Sequence, residues 1–241
     1  MGTYAKIKNL IFKKFFRPET CCLICRGETF DDSHFCEKCF EKLPFNDGNI
    51  CPLCGRKHNV EGLCIECKSE PYPFKMARSS FIFSGDIRSL IYKLKRKHNR
   101  YIAGEIAPYL KESYFNFGFD CDVIVYVPII AKREYKRKYN HARLLAKELS
   151  PLIGLPIVYD AIVKVKNNKK QKRLTRRERM ENSRSSYKLL SRKGIEGKRV
   201  LLVDDVFTTG STATAITNQL LKGKALSVSV LTLASVKLRE V

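Results

Sequence analysis

The chain has 241 residues, 46 Lys+Arg against 24 Asp+Glu for a formal net charge of +22, 44% hydrophobic residues, ten Cys and no Trp. That length and apolar content can bury a core, which excludes wholesale disorder, and no apolar run approaches the roughly 18 residues of a membrane span. The surplus charge points to anionic partners: nucleic acid, phosphorylated small molecules or an anionic membrane.

Residues 1–20 place Ile7, Leu10, Ile11 and Phe15 on one helical face, interrupted by Lys6, Lys8, Lys13 and Lys14. The segment lacks the clean apolar stretch of a signal peptide, and Lys6 stands where myristoylation needs Ser or Thr. An amphipathic N-terminal helix and a cytoplasmic chain are the expectation.

Nine of the ten Cys follow between Cys21 and Cys67, and eight of them form four Cys-x-x-Cys pairs: Cys22/Cys25, Cys36/Cys39, Cys51/Cys54 and Cys64/Cys67. One such turn brings two thiolates to a tetrahedral cation, and a second turn closes the site, so two zinc sites fit the spacing. The spacers, Arg26 to Phe35 and Gly55 to Leu63, allow a short hairpin and no core, so the metal would hold the fold. Near-identical spacing in the two halves favours sequential pairing over a crossed arrangement of first pair with third. Cys22 has better spacing than its neighbour Cys21, and His34 and His58 read as surface residues more than as ligands. Gly55 is free to adopt positive φ at the knuckle. Four thiolates leave no open coordination position, which makes the sites structural rather than catalytic. The competing disulfide framework needs an oxidising compartment.

Residues 1–72 are nearly balanced, with 11 Lys+Arg and 10 Asp+Glu, which leaves 35 and 14 for residues 73–241. Pro71-Tyr72-Pro73 favours an extended connector at that boundary. Phe81 to Phe83 reads as a strand. A helix over Asp86 to Leu94 leads into the basic run Lys95-Arg96-Lys97, and a second helix covers Ile102 to Tyr114. Cys121 reads as a small buried residue, with no base partner in view. Val123 to Val127 is a strand ending at Pro128. The basic stretch Lys136-Arg137-Lys138-Tyr139-Asn140-His141 follows it, then a helix from His141 to Leu149. Between Lys164 and Arg184 there are ten Lys/Arg and two Glu, which reads equally as a solvated run and as a lid that closes on an anion. Val200 to Val203 is an apolar strand of the kind buried in a parallel sheet. Asp204 and Asp205 stand at its C-terminal end, where open α/β sheets place ligands. The turn Thr208-Thr209-Gly210-Ser211-Thr212 enters a helix running to Lys222, and its hydroxyls and free amides make an anion cradle. Two carboxylates beside an anion cradle suit a sugar phosphate, and the plain alternative is an ordinary β-loop-α turn. An apolar strand closes the chain over residues 225–234. The alternation argues for an α/β fold with a mostly parallel sheet and flanking helices.

Asp204-Asp205 followed by Thr-Thr-Gly-Ser-Thr resembles the phosphoribosyl pyrophosphate (PRPP) motif of type I phosphoribosyltransferases. Four Cys-x-x-Cys pairs ahead of such a domain resemble the ComF family of competence-associated proteins. The resemblance implies a double zinc ribbon over residues 21–72 and a phosphoribosyltransferase-like domain over residues 73–241. It implies that Asp204 and Asp205 face the ribose hydroxyls and Mg²⁺, and that Thr208, Thr209, Gly210, Ser211 and Thr212 hold the 5′-phosphate. It implies that Pro128, Arg137 and Asn140 belong to the pyrophosphate loop, where Lys138 and His141 replace the usual Gly and Gln. A structural role for His141 is expected ahead of a role as base. Lys164 to Tyr187 resembles the family's mobile loop, with Gln171, Leu174, Arg179, Asn182 and Tyr187 at the family's spacings. Lys164 and Lys166 there replace arginines, which keeps phosphate attraction and loses bidentate binding.

Two functions stay open on this reading. One is PRPP binding with Mg²⁺ combined with handling of incoming single-stranded DNA in natural transformation, alongside other DNA-uptake proteins. The other is an active phosphoribosyltransferase that moves ribose 5-phosphate from PRPP to an acceptor, with no DNA role. For DNA, Lys95, Arg96, Lys97, Lys172, Arg173, Arg176 and Arg177 are the candidate phosphate contacts. Tyr135, Tyr139 and Tyr187 are candidate base-stacking residues, whereas Tyr92 reads as core.

Overall fold

The computed structural model describes residues 21–29, 34–59, 61–96, 99–130, 134, 139–165 and 185–238. In chain order the elements are α1 (Glu37–Phe40), α2 (Ile65–Ser69), β1 (Met76–Ile82), α3 (Gly85–Leu94), α4 (Ile102–Asn116), β2 (Val123–Tyr126), α5 (His141–Ile153), β3 (Ile162–Lys164), β4 (Tyr187–Leu189), β5 (Arg199–Phe207), α6 (Ser211–Lys222) and β6 (Ser227–Ser235). The expected N-terminal helix lies outside the described residues.

Val200 to Val203 are fully buried, as a strand covered on both faces requires. They sit in β5, inside a four-stranded parallel sheet of order β1-β6-β5-β2. The strands outrun the expectation. β1 begins at Met76 rather than Phe81, and β5 continues to Phe207 because Asp204 pairs with Thr232 and Val206 with Ala234 of β6. The two carboxylates are thus on the strand's last residues instead of past its end. β3 and β4 form a separate antiparallel pair, Ile162 opposite Leu189 and Lys164 opposite Tyr187. Three-residue strands carry too little periodicity to be read in advance, and this pair joins the two ends of the expected mobile loop.

Two contacts position the site. Asn140 caps α5 by accepting from the amides of Ala142 (3.0 Å) and Arg143 (3.4 Å), and its Nδ2 donates to Val127 O at 2.9 Å. It thereby ties the end of β2 to the start of α5, which leaves by Gly154 at φ 71°. The buried Tyr139 hydroxyl donates to Leu94 O at 2.5 Å, which fixes the last turn of α3 beside the same helix start.

By compactness the chain divides into Met1–Leu43 and Pro44–Val241, whereas the charge balance and prolines suggest a boundary near residue 72. The difference has a packing cause. Cys51, Cys54, Cys64 and Cys67 share one core with Tyr72, Phe74, Val125, Phe207 and Ala213. The knuckle carbonyls also join β1: Ala77 N donates to Leu53 O at 2.8 Å, and the Arg78 guanidinium donates to Pro52 O at 3.0 Å.

Candidate functional site

The cysteines assemble as two groups, Cys22/Cys25/Cys36/Cys39 and Cys51/Cys54/Cys64/Cys67, with the sulfurs of each within 4.8 Å of one another. The sequential pairing is therefore the one the fold makes. A tetrahedral Zn–S₄ centre with bonds of about 2.3 Å has S···S edges of about 3.8 Å. Cys25–Cys36 at 3.7 Å and Cys54–Cys64 at 3.8 Å match such edges, so the donor sets fit zinc. Each half is built alike: a tight turn closed by an antiparallel bridge (Cys21–Glu28, Ile50–Lys57), then a short helix entered from Cys36 or Cys64. Gly55 takes φ 65°, as its place in the knuckle calls for, and a Cβ there would lie 2.1 Å from Ala77 O. Cys121 is buried, and burial pushes its thiol up to about 11, as an inert core residue should be.

The second site is at the C-terminal end of β5. Asp204, Thr208, Gly210 and Thr212 line a pocket with Val127 and Thr232 that encloses about 20 Å³, the floor of a cleft with room for little more than a water molecule. The chain turns at Gly210 (φ 72°), and Ser211 begins α6. The first amides of α6 have no intrahelical carbonyl to reach, so they face outward for an anion. Thr209 Oγ1 donates to Ser211 Oγ at 3.1 Å, which joins the two hydroxyls of the turn. Pro128 comes alongside because Tyr126 pairs with Val203 and Val127 N donates to Val203 O.

The two carboxylates differ. Asp205 is buried, and its Oδ2 lies 2.5 Å from Lys95 Nζ and 3.4 Å from His141 Nε2. Burial would raise its pKa, but His141 and Lys95 outweigh burial and hold the carboxyl well below the usual range. Asp204 lines the pocket instead, and desolvation together with the neighbouring Asp205 charge pushes its carboxyl well above the usual range. Asp205 is thus engaged by internal partners, whereas Asp204 is the carboxylate that lines the pocket.

This placement corrects several expectations. Lys95, read from the sequence as a phosphate contact, is brought by the end of α3 onto Asp205. Tyr139 and Tyr187 are buried and cannot stack on bases, because one anchors α3 and the other pairs in β4 against Lys164, whose Nζ donates to its hydroxyl at 2.9 Å. Tyr92, expected in the core, is exposed beside Arg88 and Lys95. His141 is part of the site, through Asp205. Arg96 is exposed. Lys97, Tyr135, Arg137, Lys166, Gln171, Lys172, Arg173, Arg176, Arg177 and Arg179 lie outside the described residues. Sequence reasoning missed Arg56 and Tyr72, which reach the carbonyls of Thr208 and Thr209 from the cysteine module. An aromatic held between two prolines was the available signal for Tyr72; nothing local marked Arg56.

Residues 140–240 match the Phosphoribosyl transferase domain family, and residues 12–68 match the Double zinc ribbon domain family. The chain is 30% identical over 217 residues to Competence protein ComFC of Bacillus subtilis (strain 168), covering 84% of each chain. It is 28% identical over 216 residues to DNA utilization protein YhgH of Escherichia coli (strain K12), covering 87% of this chain and 94% of that one. Among solved structures, adenine phosphoribosyltransferase from Thermoanaerobacter pseudethanolicus is similar over 63% of this chain and 76% of its own, at 14% identity and a TM-score of 0.39. Among the described residues, no helix is long and apolar enough to cross a membrane.

Proposed function

This chain belongs to the ComF family, and on that premise we propose that it binds PRPP in the cleft at the end of β5 and handles single-stranded DNA during natural transformation. The observation that carries the PRPP reading is the division of labour between the carboxylates. Lys95 and His141 engage Asp205 inside the protein, which leaves Asp204 to face a ribose diol beside an anion-ready helix start. The 5′-phosphate takes the amides and hydroxyls of Thr208 to Thr212. Asp204 is the oxygen donor available to Mg²⁺, a cation that prefers such ligands and commonly enters with a substrate's phosphates. Bound there, Mg²⁺ supplies charge neutralisation for the pyrophosphate. The protein's own part is orientation by the β2 loop, where Asn140 holds Val127.

The DNA role rests on the charge of the domain and on the named competence and DNA-utilization relatives. With Lys95 committed to Asp205, the phosphate contacts fall to Arg96, Lys97 and the basic residues Lys172, Arg173, Arg176 and Arg177.

Titration calorimetry tests the site. PRPP binds with micromolar to millimolar affinity in Mg²⁺, and Asp204→Ala with Asp205→Ala abolishes it; unchanged binding by the double variant ends this reading. Single-stranded DNA affinity falls with salt by roughly 0.7 decade per decade for each phosphate neutralised. A flat salt response removes the electrostatic account. Acceptor-dependent release of pyrophosphate would turn the binding site into a transferase site.

A further inference from the structure

Arg56 follows the knuckle Cys51-Pro52-Leu53-Cys54-Gly55, and its side chain is only 5% exposed. Its guanidinium joins two places far apart in sequence. On one side Nε donates to Cys54 Sγ at 3.4 Å, and NH2 donates to Glu66 Oε2 at 2.7 Å, between the ligands Cys64 and Cys67. On the other side NH1 donates to Thr208 O at 3.5 Å, and NH2 lies 3.4 Å from the Tyr72 hydroxyl. That hydroxyl in turn donates to Thr209 O at 3.0 Å. The Tyr72 ring fills the space at Gly210, where a Cβ would come within 2.5 Å of it.

A trans peptide sets its N–H opposite its C=O. Holding Thr208 O and Thr209 O inward, on the guanidinium and the phenol, therefore turns the amides of Thr209 and Gly210 away from the strut. Those amides belong to the turn that would cradle a phosphate. The other end of the strut is seated in the second Cys₄ site. Zinc held by those four thiolates would fix Cys54 Sγ and the α2 turn that carries Glu66, so both anchors of the guanidinium keep their places only while that site is closed.

We propose that Arg56 is a positioning residue that couples the second Cys₄ site to the phosphate turn, so that the metal state of that site sets the affinity of the turn for its anion. Naming the anion as PRPP rests on the function proposed above; the coupling itself does not.

The test uses the full chain carrying both metals. Arg56→Met, Arg56→Lys and Tyr72→Phe are compared with wild type for zinc per chain, PRPP affinity in Mg²⁺, and hydrogen exchange at Thr209, Gly210 and Ser211 without ligand. With zinc retained, Arg56→Met raises the PRPP Kd about tenfold or more and speeds exchange at these amides. Arg56→Lys does not restore either, since a single ammonium cannot span Cys54, Glu66 and Thr208 together. Tyr72→Phe, which leaves Arg56 and every thiol in place, gives a smaller change in the same direction and carries the test if Arg56→Met does not fold. By reciprocity, saturating PRPP slows release of zinc from wild type to a chromogenic chelator. Unchanged exchange and unchanged affinity in the zinc-loaded variants overturn the coupling. If wild type binds no PRPP, the function proposed above falls, and amide exchange alone decides the coupling.

Discussion

The two Cys₄ knuckles share one local design and differ in what surrounds them. In the first, Cys22 is buried, Cys36 and Cys39 are half-buried, and Cys25 is exposed; in the second all four ligands are buried. The residue after the first knuckle's second cysteine is Arg26 at φ 66°, exposed, where the second knuckle has Gly55 at φ 65°. The next residue is Gly27 in one and Arg56 in the other. Gly27 N donates to Cys25 Sγ at 3.4 Å, and Arg56 Nε donates to Cys54 Sγ at the same distance. A backbone amide suffices to satisfy the sulfur of the first knuckle. In the second, a long cation does that task and continues to the carbonyl of Thr208. Under the coupling proposed above, one knuckle design serves local folding in the first copy and the placement of a distant turn in the second.

The contrast breaks most visibly if a ligand is lost. Cys51→Ser costs the Pro44–Val241 unit about 4 kcal/mol or more, in line with loss of a structural metal from a core. Cys25→Ser leaves that unit's denaturation midpoint in place, and each variant keeps about one zinc per chain. Equal losses by chemical denaturation would erase the distinction. Gly55→Ala comes next: the added Cβ meets a carbonyl oxygen at 2.1 Å in a left-handed backbone, for a cost of about 3 kcal/mol. The matching change in the first knuckle, Arg26→Gly, runs the other way and relieves about 1 kcal/mol of left-handed strain. Thermal melts with zinc quantified distinguish the two.

Between these in size is the Lys95–Asp205 ion pair at the end of β5. Lys95→Met strands the buried Asp205 and costs about 2 kcal/mol. The loss is present near neutrality and fades as pH falls through the depressed Asp205 pKa, because the protonated acid needs no partner. The smallest effect is at Asp204. Its raised pKa means that burial and the neighbouring Asp205 charge disfavour its ionised form, so its contribution to stability is full at acid pH and is lost as pH rises through that pKa. Asp204→Asn therefore raises the melting temperature by about 2–4 °C above that pKa and by nothing at acid pH, while PRPP binding is lost. A melting temperature independent of pH in both proteins would show that Asp204 ionises without cost.

Legibility in the sequence followed the range of the interactions. The Cys-x-x-Cys spacing, the apolar run Val200 to Val203 and the helix start after Gly210 are local and are built as their patterns imply, although β5 runs on through the two carboxylates. Long-range pairing was not readable. Lys95 looked like one more cation in a basic run, because nothing in residues 93–97 shows that Tyr139 will anchor Leu94 and aim the next side chain at Asp205. Tyr187 looked available for stacking because the three-residue strand that buries it has no periodic signal. Composition marks a boundary at residue 72, close to where the zinc-ribbon match ends, but charge balance does not report that the second knuckle's cysteines share one core with Phe74 and Val125.

The bonds from the knuckle to β1 have one more consequence. β1 is an outer strand of the sheet, and its backbone is occupied by the segment that carries Cys51 and Cys54: Ala77 N by Leu53 O, Ser80 O by Asn46 N and Ile82 N by Pro44 O. A bare strand of this kind is a template for another chain. Chelation of the second metal should thus announce itself first as concentration-dependent self-association, seen by light scattering, before secondary structure is lost. On this view the cysteines guard the solubility of the sheet as well as its shape.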